Sequence, residues 1–241
     1  MPSLPDTYYA RALDLLARVR DKNAPVIARL APIIGASVAR GGMIHMFGSG
    51  HSDIIAREVI GRAGGLVCVN GIIDPTAGFV ENLVGYGTKL VERHDRQYQL
   101  LPGETIIVIS NSGKNSSPLE VALYAKAKGL HVVGLTAMAM STTAATVHPG
   151  GKKLHEVADD VLDNGGVPGD AIVEAAPGLF AGPTSTLTSA LLLNLLMLAV
   201  TDWLRAHGHP LPVLRSQNVP GSMDYNHALA EKYKGRLSRQ L

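Results

Sequence analysis

The chain has 241 residues, of which 46% are hydrophobic and 17% are charged, and its formal net charge at pH 7 is +2. That length and apolar content suit one α/β domain with added arms, and so few charges favour a homodimer or tetramer over a lone monomer. The basic residues are scattered, with no dense lysine and arginine stripe and no aromatic ladder, which excludes a typical nucleic-acid-binding surface.

The first 40 residues predict an N-terminal helical arm. Apolar residues recur at helical spacing from Tyr8 to Arg20, and the periodicity continues from Pro25 to Arg40 in a second helix or a kinked one. Pro25 and Pro32 are expected at helix starts or kinks, because proline lacks the N–H that a helix interior needs. Residues 1–6 lead into a polar amphipathic segment, which does not have the pattern of a signal peptide.

The middle of the chain alternates between strand and helix signals. Five apolar runs bounded by turn residues predict strands: residues 43–47, 66–70, 105–109, 130–135 and 157–162. Segments of helical character separate them: residues 54–63, 88–99 and 118–128. This alternation is typical of parallel βαβ units, so the sequence predicts an α/β fold with a doubly wound parallel sheet. The single cysteine, Cys68, lies in the second strand and suits a reducing cytoplasm.

Past the fifth strand, the sequence predicts a long helix and a tail. Residues 164–183 are rich in glycine and proline and are expected to form a loop. Residues 184–207 form the predicted helix, whose most apolar part, residues 187–200, is shorter than the roughly 20 residues that span a bilayer. We therefore expect a buried core or interface helix and no membrane partner. Residues 208–241 are expected to form an extended tail with a final helix over residues 225–239.

Two turns rich in glycine and serine follow predicted strands. Residues 48–53, Gly-Ser-Gly-His-Ser-Asp, follow the first strand, and residues 110–117, Ser-Asn-Ser-Gly-Lys-Asn-Ser-Ser, follow the third strand and open a helix. Such sheets bind ligands at the carboxyl ends of their strands. Free N–H groups and hydroxyls at a helix start attract phosphate, so the second turn predicts an oxyanion site. Ordinary turn and cap chemistry is the alternative for these serines.

Neither a cofactor nor a metal site is expected. The first turn begins like the dinucleotide-binding motif G-x-G-x-x-G, but Asp53 replaces its third glycine. Asn70 ends the second predicted strand, where the acidic residue that holds a ribose hydroxyl would stand. His45 and His51 belong to a strand and a turn and do not share one helical face, which is poor spacing for a metal site.

In these two turns the chain resembles the sugar isomerase (SIS) domain family, and the likeness extends over roughly residues 40–205. The segments 62–65 and 163–165 look closest to a branch of stand-alone phosphosugar-binding proteins. The resemblance implies a flavodoxin-like three-layer αβα sandwich with a five-stranded parallel sheet, and an SIS domain over residues 41–207. It also implies a phosphorylated sugar as ligand. By position in the motifs, the implied substrate-binding residues are Ser110, Ser112 and Ser116 for phosphate, helped by Asn111 and Gly113, and Ser49, Gly50 and Ser52 for the sugar.

Isomerisation or elimination next to a carbonyl needs a base that removes a carbon-bound proton. Glu58 is the first candidate, because the family often keeps a glutamate on this helix, and an exposed ion pair with Arg62 is the equal alternative. Glu174 is the second candidate, with an ordinary loop carboxylate as the favoured alternative. Glu81, after the second strand, is a weaker one. His51 could move a proton near neutral pH or only bond the backbone.

His227 lies in the polar tail together with Asp224 and Asn226. Tails in this family can reach the pocket of a neighbouring subunit, which would make His227 a substrate-binding residue. A surface cap of the last helix is the alternative.

The sequence therefore predicts an enzyme acting on a (N-acetyl)hexosamine or hexose 6-phosphate by carboxylate-mediated proton transfer. The outcome would be isomerisation, β-elimination or dehydration. The alternative is a non-catalytic phosphosugar sensor, although the first 40 residues lack the charge and turn pattern of a helix-turn-helix. The hydroxyl-rich turns argue against a purely structural subunit.

Overall fold

The computed structural model describes residues 2–238 and contains the expected five-stranded parallel sheet. Its strands are β1 Ile44–Gly48, β2 Val69–Ile72, β3 Thr105–Ile109, β4 His131–Thr136 and β5 Asp160–Asp163. They lie in the spatial order β2-β1-β3-β4-β5 and pair in parallel throughout. The strand order reverses between β1 and β3, because β2 lies on one side of β1 and the later strands lie on the other. Sheets of this order bind ligands beside that reversal.

Helices cover both faces of the sheet, which gives the three-layer αβα sandwich that the family resemblance implied. The helices are α1 Leu4–Ala39, α2 His51–Glu58, α3 Tyr86–Tyr98, α4 Ser116–Ala127, α5 Met138–Ser141, α6 Leu154–Val157, α7 Ser185–Ala206 and α8 Ser222–Glu231. Successive strand residues point to opposite faces: Ile107 and Ile109 pack with α1, α2 and α7, whereas Ile106 and Val108 pack with α3 and α4. Burial on both faces explains the uninterrupted apolar run over residues 106–109 of β3.

Helix α1 is continuous, although the sequence had suggested a second helix or a kink. Pro25 and Pro32 lie inside α1 on its exposed side, and the residues four positions earlier are also exposed, so the carbonyls that lose an N–H partner can bond to water. The opposite side of α1 packs along α7, where Gly35 lies too close to the ring of Trp203 to leave room for a Cβ. The helix is therefore part of the core.

The prediction of a simple loop over residues 164–183 was wrong. These residues include an antiparallel hairpin, formed by β6 Ala171–Ala176 and β7 Leu179–Pro183, that is separate from the main sheet. Most side chains of the hairpin are exposed or half-buried. No alternation of apolar and polar residues therefore marked it among the glycines and prolines.

Helix α7 is the long helix that the sequence predicted. Within residues 2–238 it is the one helix long and apolar enough to cross a membrane, judged by length and composition, with a mean hydropathy of 1.7. Leu192, Leu193 and Leu196 are fully buried in the same core cluster as residues of α1 and β4. Packing in the core accounts for the apolar residues on this buried side of α7, whereas Leu198 on another side is 63% exposed.

The tail runs back along the edge of the fold. Leu66, which the sequence assigned to the second strand, forms an antiparallel bridge with Val213 of the tail, and β2 begins three residues later. Helix α8 begins three residues before its predicted start, and the predicted end at Arg239 lies outside the described residues. The Asn226 side chain accepts from the N–H of Arg215 and donates to its carbonyl, both at 2.9 Å, and so fixes α8 against the tail.

A buried polar cluster lies at the amino-terminal edge of the sheet. His45 on β1 is fully buried, with Nε2 at 3.0 Å from Oε2 of Glu104 and Nδ1 at 3.2 Å from Nε2 of His94. Arg236 donates from Nη2 to both carboxylate oxygens of Glu104, at 2.8 and 2.9 Å. We call His45, His94, Glu104 and Arg236 the buried polar cluster.

Burial and hydrogen bonding shift the titration of this cluster. Burial lowers the pKa of His45, and burial together with the neighbouring His45 lowers the pKa of His94 to about 3. Burial alone would raise the pKa of Glu104, but hydrogen bonds from His45 and from two backbone N–H groups outweigh it, so the pKa is lowered. The folded protein therefore keeps neutral histidines beside an ionised carboxylate.

We expect the protein to lose stability as the pH falls from 7 to 5. A histidine in the unfolded chain takes up a proton near pH 6.5, whereas folded His94 takes one up only near pH 3. Between these values the unfolded state binds more protons, so acid lowers the free energy of unfolding by about 1–2 kcal/mol at pH 5 through His94. Urea denaturation at several pH values measures the decline. The decline should be shallower in His94→Gln, and an equal decline in both proteins would contradict the prediction.

Candidate functional site

The two serine-bearing turns lie side by side at the carboxyl-terminal edge of the sheet, where the strand order reverses. Residues 48–53, the glycine turn, lead from the end of β1 into α2, and residues 110–117, the serine loop, lead from β3 into α4. The last paired residues of these strands are Gly48 and Ile109. A Cβ on Gly48 would collide with the backbone of Ser52, which shows why glycine is needed for the chain to turn into α2.

The serine loop carries hydroxyl groups that are not bound by any group in the described part of the chain. Ser116 and Ser117 are fully buried, and their Oγ atoms make no hydrogen bond within residues 2–238. The hydroxyls of Ser110 and Ser112 also lack a partner among the described residues. Buried polar atoms are nearly always paired. This excess of hydroxyls therefore indicates a site for a ligand with several hydrogen-bonding oxygens.

Backbone donors of the serine loop add to that excess. The N–H groups of Asn111, Ser112, Lys114 and Asn115 find no acceptor in the part of the chain that the structure describes. Gly113 has a φ of +64°, and a Cβ there would collide with the hydroxyl of a neighbouring serine, so the sharp turn of the loop depends on glycine. Unpaired N–H groups in such a turn form a concave site suited to an anion.

Residues 73–85, the β2–α3 loop, close over both turns. Glu81 accepts hydrogen bonds from the hydroxyl of Ser49 and, on its other carboxylate oxygen, from the side-chain amide of Asn115 at 2.7 Å. Its carbonyl accepts the N–H of Ser117 at 2.8 Å. Glu81 thus joins the glycine turn to the serine loop, and Ser49 is bonded to it.

Asp74 holds the β2–α3 loop in shape. It accepts from the N–H and the hydroxyl of Thr76, from the N–H of Gly78 at 2.9 Å and from the hydroxyl of Tyr86 at 2.8 Å. Burial would raise the pKa of Asp74, but these hydrogen bonds outweigh it and lower the pKa. Gly78 packs against Gly50, and a Cβ on Gly78 would lie 2.6 Å from the Gly50 nitrogen. The loop is therefore seated firmly on the glycine turn.

A cavity of about 200 Å³, the serine-loop cavity, opens beside the serine loop. Its polar lining residues are His51, Ser52, Asn111, Asn164, Asp170, Ser185 and Ser189. His51, the first residue of α2, is exposed, and its ring has no hydrogen-bond partner within residues 2–238. An unpaired imidazole in such a cavity can donate to a ligand oxygen or transfer a proton.

Sequence reasoning did not single out Asp170 and Asn164, which also line this cavity. Asp170 accepts the N–H of Ser185 at 2.9 Å at the start of α7, and Asn164 donates to the side chain of Asn111 at 2.9 Å. Asn164 lies in the segment 163–165, which carries part of the family resemblance, but nothing local marks either residue as part of a site, and Asp170 holds a helix start from 15 residues away. Within residues 2–238, no group of three or more histidine, cysteine, aspartate or glutamate side chains is arranged to hold a metal ion.

The two glutamates proposed for catalysis do not line the serine-loop cavity. Glu58 ends α2, is half exposed and pairs with Arg62, which is the alternative that the sequence left open. At 1.5 Å per residue, Glu58 lies about 10 Å along α2 from His51. Glu174 is exposed on β6 and accepts the N–H of Gly178 at 2.9 Å. Within one chain, neither carboxylate reaches the wall of this cavity.

His227 lies at a different cavity, formed where the segment after α2 meets the tail and α8. This cavity, the arginine cavity, measures about 330 Å³, and its lining includes Arg62, Arg215, Gln217, Asn218, Met223 and His227. His227 is exposed. The structure does not bring His227 to the serine loop of the same chain.

Comparisons with known proteins agree with this geometry. A family model described as the SIS domain matches residues 7–137, which include both turns. A UPF0309 protein of Listeria monocytogenes is 36% identical over 233 residues, covering 96% of this chain and 97% of that protein.

Two solved structures share the fold. A phosphoheptose isomerase from Francisella tularensis superposes with a TM-score of 0.59 at 16% identity, covering 84% of this chain and 100% of that one. The Vibrio vulnificus NanR protein complexed with ManNAc-6P gives a TM-score of 0.53 at 17% identity, covering 99% of this chain and 72% of that one. At these identities the likeness shows a common α/β architecture.

Proposed function

Because the chain belongs to the SIS domain family, we propose that it binds a phosphorylated sugar through the serine loop and acts on it as an enzyme. The main support is a set of groups on that loop that have no hydrogen-bond partner among the described residues. They include the hydroxyls of Ser110, Ser112 and Ser116 and the N–H groups of Asn111 and Ser112. A phosphate offers several acceptor oxygens and negative charge, and such a turn satisfies both.

The sugar would extend from the phosphate into the serine-loop cavity. Its hydroxyls would contact Ser52 and the glycine turn at Ser49 and Gly50. Ser49 already donates a hydrogen bond to Glu81. Its hydroxyl would therefore accept a hydrogen bond from a sugar hydroxyl, or would give up the bond to Glu81 and donate to the sugar. We propose a (N-acetyl)hexosamine or hexose 6-phosphate as the substrate class.

His51 is the group that we propose for proton transfer within one chain. Isomerisation, β-elimination and dehydration all begin with removal of a proton from the carbon next to a carbonyl, and a base in contact with the ligand must accept it. His51 lines the cavity, and its ring has no hydrogen-bond partner among residues 2–238, which supports this role. Glu58 and Glu174 as bases and His227 as a substrate contact are the alternative assignment, which requires a second copy in a homodimer or tetramer to bring them to this cavity.

The second candidate is a non-catalytic phosphosugar sensor. It is supported by the unpaired groups of the serine loop, which bind a phosphate equally well with or without turnover. In either case we propose a cytoplasmic protein, because Cys68 is a free, buried thiol. The division into an N-terminal segment 1–40, an SIS domain 41–207 and a tail 208–241 stays a prediction.

A panel of sugar phosphates separates the two functions. Wild-type protein would be incubated in D2O with hexose, hexosamine and N-acetylhexosamine 6-phosphates, and proton NMR would follow both conversion and loss of the signal at carbon two. An enzyme exchanges or converts at least one of them. Binding without exchange would indicate a sensor, and a complete lack of binding would contradict both functions.

Ser112→Ala is expected to weaken binding of the best sugar phosphate about 5- to 150-fold. The hydroxyl bonds to a charged group in the proposed complex, and loss of such a bond costs about 1–3 kcal/mol. Isothermal titration calorimetry measures the change. Ser3→Ala, at the exposed start of α1, is the control and should bind as the wild type does. Equal affinity of Ser112→Ala and wild type would exclude Ser112 from the site.

A further inference from the structure

We infer that the arginine cavity is a second anion site, which binds the phosphate group of a small phosphorylated molecule. Its volume of about 330 Å³ lies in the usual range for small-ligand sites. Arg62, Arg215 and His227 are among its lining residues, and no acidic residue is among those described. The site lies beyond the end of α2, whereas His51 and the serine-loop cavity lie at its start.

Arg215 is already held in a binding conformation. Its guanidinium carbon lies 3.9 Å from the centroid of the Tyr225 ring, and the Asn226 side chain fixes its backbone through two hydrogen bonds. Within the described residues Arg215 has no carboxylate partner. A stacked guanidinium keeps its N–H edge free for two parallel bonds to a phosphate and loses little freedom when it binds.

Arg62 faces the same cavity and is the second ligand of the proposed site. Its only charged partner among residues 2–238 is Glu58, and both side chains of that pair are nearly half exposed, at 46% and 45%. Exposed pairs of this kind are weak, and a guanidinium has five N–H donors. A phosphate dianion can therefore bind Arg62 beside Glu58 or in its place.

The rest of the lining fits a hydroxyl-bearing organic body attached to the phosphate. Gln217 and Asn218 offer amide donors and acceptors, and Ser216 adds a hydroxyl. Met223 supplies one apolar contact. This combination matches a sugar phosphate. The inference does not depend on any reaction at the serine loop.

Titration of the full chain with glucose 6-phosphate tests the inference. Spectra of 15N-arginine-labelled protein follow the side-chain Nε–Hε signal of Arg215, assigned with Arg215→Met. We expect this signal to shift saturably in wild type and in Ser112→Ala alike, and the affinity read from it to fall at least about tenfold in Arg62→Met. Arg205→Met, which removes an exposed arginine of α7, is the matched control and should titrate as the wild type does.

Three outcomes would overturn the inference. First, the Arg215 signal could stay unshifted while glucose 6-phosphate saturates any other site. Second, the signal could shift equally with uncharged glucose, which would show that the phosphate group plays no part in binding. Third, the signal could lose its response in Ser112→Ala. That last result would mean that the arginine cavity of one copy and the serine loop of another form a single site. Failure of Ser112→Ala to reduce any binding, with the Arg215 response intact, would contradict the proposed function alone.

Discussion

Replacing His51 with asparagine is expected to cut turnover of the preferred sugar phosphate at least about 100-fold, with Kd changed by less than about threefold. Asparagine retains a polar group in the serine-loop cavity but cannot accept and return a proton near neutral pH. The phosphate contacts on the serine loop stay intact, so binding persists. Steady-state kinetics give kcat, and calorimetry with the same substrate gives Kd.

Glu58→Gln and Glu174→Gln are the matched variants for this experiment. Each removes an ionisable side chain that lies outside the cavity within one chain, so each should keep kcat within about tenfold of wild type. If Glu58→Gln abolishes turnover while His51→Asn retains it, the single-chain site is wrong. The base would then be a carboxylate that only a second copy can deliver.

Arg236→Met is expected to lower the free energy of unfolding by about 3–5 kcal/mol, because it leaves the charge of Glu104 buried without its cation. Glu104 is nearly inaccessible, with its side chain 3% exposed, and accepts two hydrogen bonds from Arg236. His45 beside it is held neutral by burial and cannot replace that charge. Urea denaturation at pH 7 measures the loss.

Arg205→Met is the control, because it shows how much stability is lost when an arginine of a surface ion pair is removed. Arg205 pairs with Asp202 on the surface, where the two side chains are 74% and 66% exposed, so its loss should cost less than about 0.5 kcal/mol. Adding Glu104→Gln to Arg236→Met should recover part of the stability, because the second change removes the buried charge. Equal effects of Arg236→Met and Arg205→Met would show that the buried pair contributes no more than a surface one.

The sequence predicted the parts of the fold that local patterns encode. Apolar runs such as Thr105–Ile109 are buried on both faces and bounded by turn residues, so each strand of the sheet could be located within a few residues. The glycine turn and the serine loop were also located, because the glycines that these turns require are visible in the sequence. A Cβ on Gly48 would collide with Ser52, four residues later, and Gly113 has a positive φ.

Features that depend on distant contacts were not predictable. The β6–β7 hairpin has no apolar alternation, and Asp170 supports α7 across 15 residues. Glu81 was given little weight because nothing in its own segment shows that it joins Ser49 to Asn115. The family resemblance favoured Glu58 as the catalytic base. The bounds of α2 then showed that Glu58 lies at the far end of this helix from His51.

The contact between Glu104 and Arg236 also has a consequence for how the protein is made. The two residues are 132 positions apart, so a ribosome delivers every strand of the main sheet well before it delivers the arginine. The growing polypeptide can assemble the sheet early, but it then carries an uncompensated anion at one edge. We expect this incomplete species to open more readily and to be cleaved by proteases until residue 236 has emerged and the cation is in position.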